Sequence, residues 1–105
     1  MTLQAQRGPG GSLLLDLDTC GLHQIDAPAL VALLRDGMQV PIHPTEFSDE
    51  DAATPAGHAI LSGHREAVRI AHYRTGRQFL VPAPWLVEVA TGAAQTAEIK
   101  EIIET

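Results

Sequence analysis

The fold class predicted for this chain is α+β: a small, mainly antiparallel barrel-type sheet with an N-terminal strand and helix and a C-terminal helix. Two observations carry that expectation. Short runs of period-two alternation recur between residues 38 and 90, joined by turns that contain glycine. The 3.6-residue apolar spacings fall outside that stretch, before it and after it. With 105 residues, 45% of them hydrophobic, the chain holds enough apolar surface for one modest core. Aromatic residues make up only 4%, so Leu, Ile and Val must supply most of the packing.

Residues 1–11 end in Gly8, Pro9, Gly10 and Gly11 and offer little to bury, which predicts a flexible tail ahead of a single globular domain over 12–105. Ser12 to Asp18 alternates, Leu13, Leu15 and Leu17 against Leu14, Asp16 and Asp18, as a half-buried strand does. Thr19, Cys20 and Gly21 turn the chain. Asp26 then stands where it can cap a helix with Pro28 in its first turn, Leu30, Leu33 and Leu34 on one stripe and Gly37 at its end. A helix of about ten residues is marginal alone, so this stripe must pack on a sheet.

From Met38 the period returns to two. Met38, Val40 and Ile42 alternate with Gln39, Pro41 and His43, and the proline predicts an edge strand. Residues 44–57 read as a loop, followed by strands over Gly57 to Ser62, Ala67 to Tyr73 and Gln78 to Pro82. Gly63-His64 joins the first two, and Arg74-Thr75-Gly76-Arg77 is a hairpin turn in which Gly supplies a positive φ. Pro82-Ala83-Pro84 interrupts the ladder and Trp85 to Ala90 resumes it as a short strand, with Trp85 expected in the core. Five short strands with a long first loop, one tight hairpin and a proline-interrupted last strand resemble an SH3-like barrel in fold pattern, covering residues 38–90. Ile99, Ile102 and Ile103 form one stripe of a predicted C-terminal helix over 93–104.

The formal net charge of −6 disfavours generic adhesion to DNA or to anionic lipid. It conceals a segregation, because Arg65, Arg69, Arg74 and Arg77 fall within residues 57–85, where Glu66 is the only acid. One basic face and one acidic face are therefore expected on the same fold. A single cysteine, Cys20, forms no internal disulfide, and residues 1–11 lack a secretory pattern, so a reducing, cytoplasmic setting is expected. No apolar run is long enough to span a bilayer, and no membrane partner is expected.

Few strings carry chemistry. The run Leu13-Leu14-Leu15-Asp16-Leu17-Asp18-Thr19 resembles the first motif of haloacid-dehalogenase-type phosphatases, an apolar strand followed by Asp-x-Asp-x-Thr. The resemblance implies a nucleophilic Asp16 and a general acid and base at Asp18, both near Mg²⁺. Strand alternation offers the simpler account, in which both carboxylates face solvent. Cys20 and His23 have a C-x2-H spacing, but His43, His58, His64 and His72 show no paired ligand spacing, so no metal site is assigned. Gly8-Pro9-Gly10-Gly11 precedes a strand instead of linking a strand to a helix, which is not a phosphate loop. No cofactor and no catalytic set are expected.

Binding is the function class that remains. The first expectation is a non-catalytic cytoplasmic protein-interaction or regulatory module. Its partner-facing groups would be the acids Glu46, Asp49, Glu50 and Asp51, the edge of the strand containing Pro41, and the stripe Ile99, Ile102 and Ile103. A second copy of the chain is compatible with such surfaces. The alternative is a single-stranded nucleic-acid binder using Arg65, Arg69, Tyr73, Arg74 and Arg77, since arginines beside an aromatic grip phosphate and stack on bases. The Mg-dependent phosphatase-like site at Asp16 and Asp18 is a weaker alternative.

Overall fold

The computed structural model describes residues 3–45, 55–64 and 66–102. Nine antiparallel strands form one sheet: β1 (Gln4–Arg7), β2 (Leu13–Asp16), β3 (Leu22–Ile25), β4 (Val40–Pro44), β5 (Gly57–Ser62), β6 (Ala67–His72), β7 (Gln78–Pro82), β8 (Thr96–Glu98) and β9 (Lys100–Ile102). Among the described residues, two helices accompany them, α1 (Ala27–Asp36) between β3 and β4 and α2 (Ala83–Thr91) between β7 and β8. The spatial order is β8-β1-β2-β3-β4-β5-β6-β7-β9, so the two ends of the sheet are β8 and β9. These are consecutive in the chain and separated by Ile99 alone. One extended run thus pairs with β1 through Thr96–Glu98 and with β7 through Lys100–Ile102, which brings the sheet round nearly to a closed barrel. Closure of this kind occupies the polar edges that an open sheet would expose.

Alternation sets the inside of the barrel. Leu13 and Leu15 of β2, His23 and Ile25 of β3, Val40 and Ile42 of β4, Val68, Ile70 and His72 of β6, and Phe79 and Val81 of β7 are all buried. Leu30 and Leu33 of α1 and Ala83, Leu86 and Val89 of α2 join the same apolar core. Helix α1 packs against β4 and β5, while α2 packs against β1, β6, β7 and β8. The expected positions of α1 are present, with a proline in its first turn and Gly37 in the left-handed region at φ 69°; Asp26 holds the N-cap position without a side-chain capping hydrogen bond. Strands β5, β6 and β7 follow their expected spans to within one residue.

Five expectations are corrected. Residues 1–11 are not wholly a tail: Gln4–Arg7 form β1, with Ala5 fully buried, because both β2 and β8 need a partner there. Residues 85–90 are not a strand but most of α2. Pro84 suits a first helical turn, Leu86 and Val89 bury one stripe, and Gly92 ends the helix at φ 87°. Trp85 therefore lies on the outer face, 42% exposed, and is not a core residue.

The C-terminal helix is absent too, replaced by β8 and β9. Ala97 and Ile99 are buried between exposed Thr96, Glu98 and Lys100, which is a strand period, and the Ile99 N–H donates to the Leu3 carbonyl at 3.0 Å. Of the Ile stripe, Ile99 lies in the core, Ile102 is half-buried in β9, and Ile103 is outside the described residues. Finally, Pro41 is not on an edge strand, since β4 lies between β3 and β5. The stagger explains how it is tolerated: β3 pairs only with His43 and Pro44, so beside Pro41 the single neighbour is β5. Among the described residues no helix is long and apolar enough to cross a membrane.

Candidate functional site

At one end of the barrel the β2–β3 turn, the β6–β7 hairpin and the flanks of the β4–β5 connection meet around a cavity of about 620 Å³. It is lined by Thr19, Cys20 and His23, by Pro44, Pro55 and Ala56, and by His72, Tyr73, Arg74 and Thr75. Among the described residues, that lining has many donors, one cation and no carboxylate. The sequence places each group there for a local reason. His23 and His72 occupy inward positions of β3 and β6, at the strand ends where the core gives way to the opening. Cys20 sits in a short 3-10 turn that Gly21 ends at φ 95°. Gly76, at φ 70°, allows the hairpin that carries Tyr73, Arg74 and Thr75.

The two histidines are held in opposite neutral tautomers. Nδ1 of His23 lies 3.1 Å from the Gly21 carbonyl, which only accepts, so Nδ1 carries the proton and Nε2 is an acceptor. Nδ1 of His72 receives the Thr75 backbone N–H at 3.4 Å and lies 3.0 Å from the Thr75 hydroxyl, so its proton is on Nε2. Their rings meet edge to face with centroids 5.2 Å apart. Burial holds both pKa values below the usual histidine value; the proximity of His72 adds to this for His23, and the charges of Arg74 and Arg77 add to it for His72.

A pH dependence follows. The unfolded chain takes up protons near pH 6.5 while the folded pair resists them, so stability is fully present above that value and falls as pH drops below it. The thermal midpoint is expected to decline from pH 7.5 to 5.5, and His72→Gln should flatten that decline; an unchanged slope in the variant would contradict the assignment.

Arg77 stands at the rim beside this cavity. Its Nε and Nη2 donate to the two oxygens of Glu101 at 2.9 and 2.6 Å, a fork that ties β7 to β9. Its Nη1 donates to the Thr19 hydroxyl at 2.5 Å and to the Cys20 sulfur at 3.5 Å, and its guanidinium carbon lies 5.3 Å from the Phe79 ring centroid. The fork holds the Glu101 carboxyl below its ordinary range and raises the Arg77 pKa.

Of the expected nucleic-acid residues, Tyr73 and Arg74 come together at the cavity, both exposed. Arg69 faces outward from β6, 3.5 Å from Gln78 Oε1, and Arg77 is committed to Glu101. Arg65 lies outside the described residues, as do Glu46, Asp49, Glu50 and Asp51. Tyr73 shares a 2.9 Å hydrogen bond with Nδ1 of His58. Asp16 and Asp18 shape a turn: the Asp18 N–H donates to Asp16 Oδ1 at 3.0 Å, and Asp18 takes φ 58°. Among the described residues no group of three or more His, Cys, Asp or Glu side chains is placed to hold a metal ion. Sequence reasoning named Cys20 and His23 as a pair and missed His72, Thr75 and Glu101, whose roles depend on barrel closure. No protein-family model matches the chain, and no curated protein and no solved structure matches it either.

Proposed function

We propose that this chain is a non-catalytic binding or regulatory module whose partner presents an anionic group, a carboxylate or phosphate, to the cavity at the barrel end. The observation that supports this reading is the lining itself: among the described residues, Arg74, Thr19, Tyr73 and the imidazole of His72 stand around one opening with no carboxylate beside them. Guanidinium and hydroxyl donors recognise such oxygens, and a half-enclosed site strengthens each contact. In this reading the barrel is the rigid scaffold, in the SH3-like manner the sequence suggests, and its loops carry the recognition. We thus propose the opening as the interaction site in place of the C-terminal isoleucines, of which Ile99 is buried in the core.

A titration of the ¹⁵N-labelled protein with inorganic phosphate and with acetate tests it. Amide shifts are expected to cluster at Thr19, Cys20 and His72 to Thr75, at millimolar affinity, and to vanish in Arg74→Glu. Shifts scattered over the surface, or none at all, would overturn the reading.

A second reading, single-stranded nucleic acid, is favoured by Tyr73, 58% exposed beside Arg74. Fluorescence anisotropy of labelled oligonucleotides at low and near-physiological salt separates the two. Tight, steeply salt-dependent binding lost in Arg74→Glu would favour nucleic acid. The phosphatase-like reading has the least support, because Asp16 and Asp18 already serve a turn.

A further inference from the structure

Within the cavity, one chain of contacts leads from a thiol to an imidazole. The Cys20 sulfur lies 3.6 Å from the Thr75 hydroxyl oxygen, and that oxygen lies 3.0 Å from Nδ1 of His72. The direction of each bond is constrained. Nδ1 of His72 accepts the Thr75 backbone N–H, so it carries no proton and accepts the hydroxyl proton as well. The Thr75 oxygen accepts the Arg77 backbone N–H at 3.3 Å and remains free to accept from sulfur. Arg77 Nη1 approaches the same sulfur at 3.5 Å, held in place by its fork to Glu101. Cys20 is half-buried and lines the cavity, so a small molecule can reach it. The second histidine, His23, is 1% exposed and lines the same space. A thiol packed only as a small apolar group would need none of this.

We propose that Cys20 is a nucleophilic thiol, deprotonated through Thr75 by His72, and that it is acylated by an activated acyl compound entering the cavity. The sulfur proton passes to the Thr75 oxygen while the hydroxyl proton passes to Nδ1 of His72, giving a thiolate and an imidazolium. Arg77 Nη1 donates to the thiolate. Sulfur attacks the carbonyl carbon, the new S–C bond forms, and the bond from that carbon to the leaving oxygen breaks with its electron pair. His72 then yields its proton to the departing oxygen or to water, leaving a thioester on Cys20. Among the described residues, the charged and titratable groups facing this chain are Arg77 and Glu101 from β7 and β9, Arg74 and Tyr73 from the hairpin, and His23 from β3. The inference uses the cavity proposed above but not its preference for anions.

The test is acetylation of the intact protein by p-nitrophenyl acetate, an uncharged ester, near pH 7.5, followed by nitrophenolate release and by mass spectrometry of the Cys20 peptide. One acetyl group on Cys20 is expected, formed about tenfold or more faster than on the same cysteine in the urea-unfolded chain. Thr75→Val and His72→Gln should each lose most of that advantage, Thr75→Ser should keep it, and Cys20→Ser should show no acetyl at that position. Absence of acetate-induced amide shifts in a protein whose Cys20 still acetylates would overturn the anion reading alone, so the two proposals fail separately. Folded wild-type protein whose Cys20 reacts no faster than in the unfolded chain would overturn the inference without any variant. So would folded Thr75→Val reacting at the wild-type rate.

Discussion

Replacing Phe79 with alanine is expected to remove about 3–5 kcal/mol of folding stability. That is a large share of the roughly 5–15 kcal/mol that holds a domain together. Phe79 is fully buried and heads the largest buried side chains, in a core with few other aromatics to fill the space. It sits on β7 opposite Ile70 of β6 and Glu101 of β9, so its ring bridges the inner barrel and the closing strand. The truncation leaves a cavity that flanking strands cannot collapse into without breaking register. It also takes away the ring beneath the Arg77 guanidinium and with it one support of the Glu101 fork. Urea denaturation gives the measurement, and Phe79→Leu should lose much less. A loss under about 1 kcal/mol for the alanine variant would mean that the ring does not fill the core as described.

The second large effect is expected at Gly57, where alanine should destabilise by about 3 kcal/mol. The cause is close approach and not backbone conformation, since Gly57 is absent from the positive-φ glycines. A Cβ there would collide with the Ala71 carbonyl oxygen and lie 3.1 Å from the His72 Cα. Those are backbone atoms of a paired strand, so relief requires β5 and β6 to part where Gly57 faces His72. The site should be disturbed along with the fold: amide shifts of His72 and Thr75 should move in Gly57→Ala even where the variant remains folded. A fully stable variant with unchanged shifts would show that the two strands are farther apart than this register allows.

Both effects concern the part of the molecule that the sequence displays best. Strands β5 to β7 were legible because each is five or six residues long and alternates against tight Gly-containing turns, so period and boundary agree. Helix α1 was legible because its N-cap, first-turn proline, Leu stripe and terminal glycine all point the same way. Reading His72 as an inward residue of β6 alongside Val68 and Ile70 was also within reach of alternation alone. What alternation left open was which residues stand next to it. Thr75, Cys20 and Arg77 come from two turns that are distant in the chain, and only the closed sheet brings the turns to the same end.

The sequence by itself determined a small barrel-type sheet with a helix against it, the inward and outward faces of its longer strands, and a histidine and a cysteine near turn positions. The tertiary structure decided the rest, at residues 4–7 and 83–102. There the apolar spacing fits two periods: Leu86 and Val89 serve a helix as well as a short strand, and Ile99 and Ile102 suit either. Segments of three or four residues are too short for periodicity to choose. The choice falls to the backbone groups left open on β1 and β7, which Thr96–Glu98 and Lys100–Ile102 satisfy as strands and could not satisfy as a helix. The same closure carries Glu101 to Arg77, and so fixes the guanidinium that reaches Cys20.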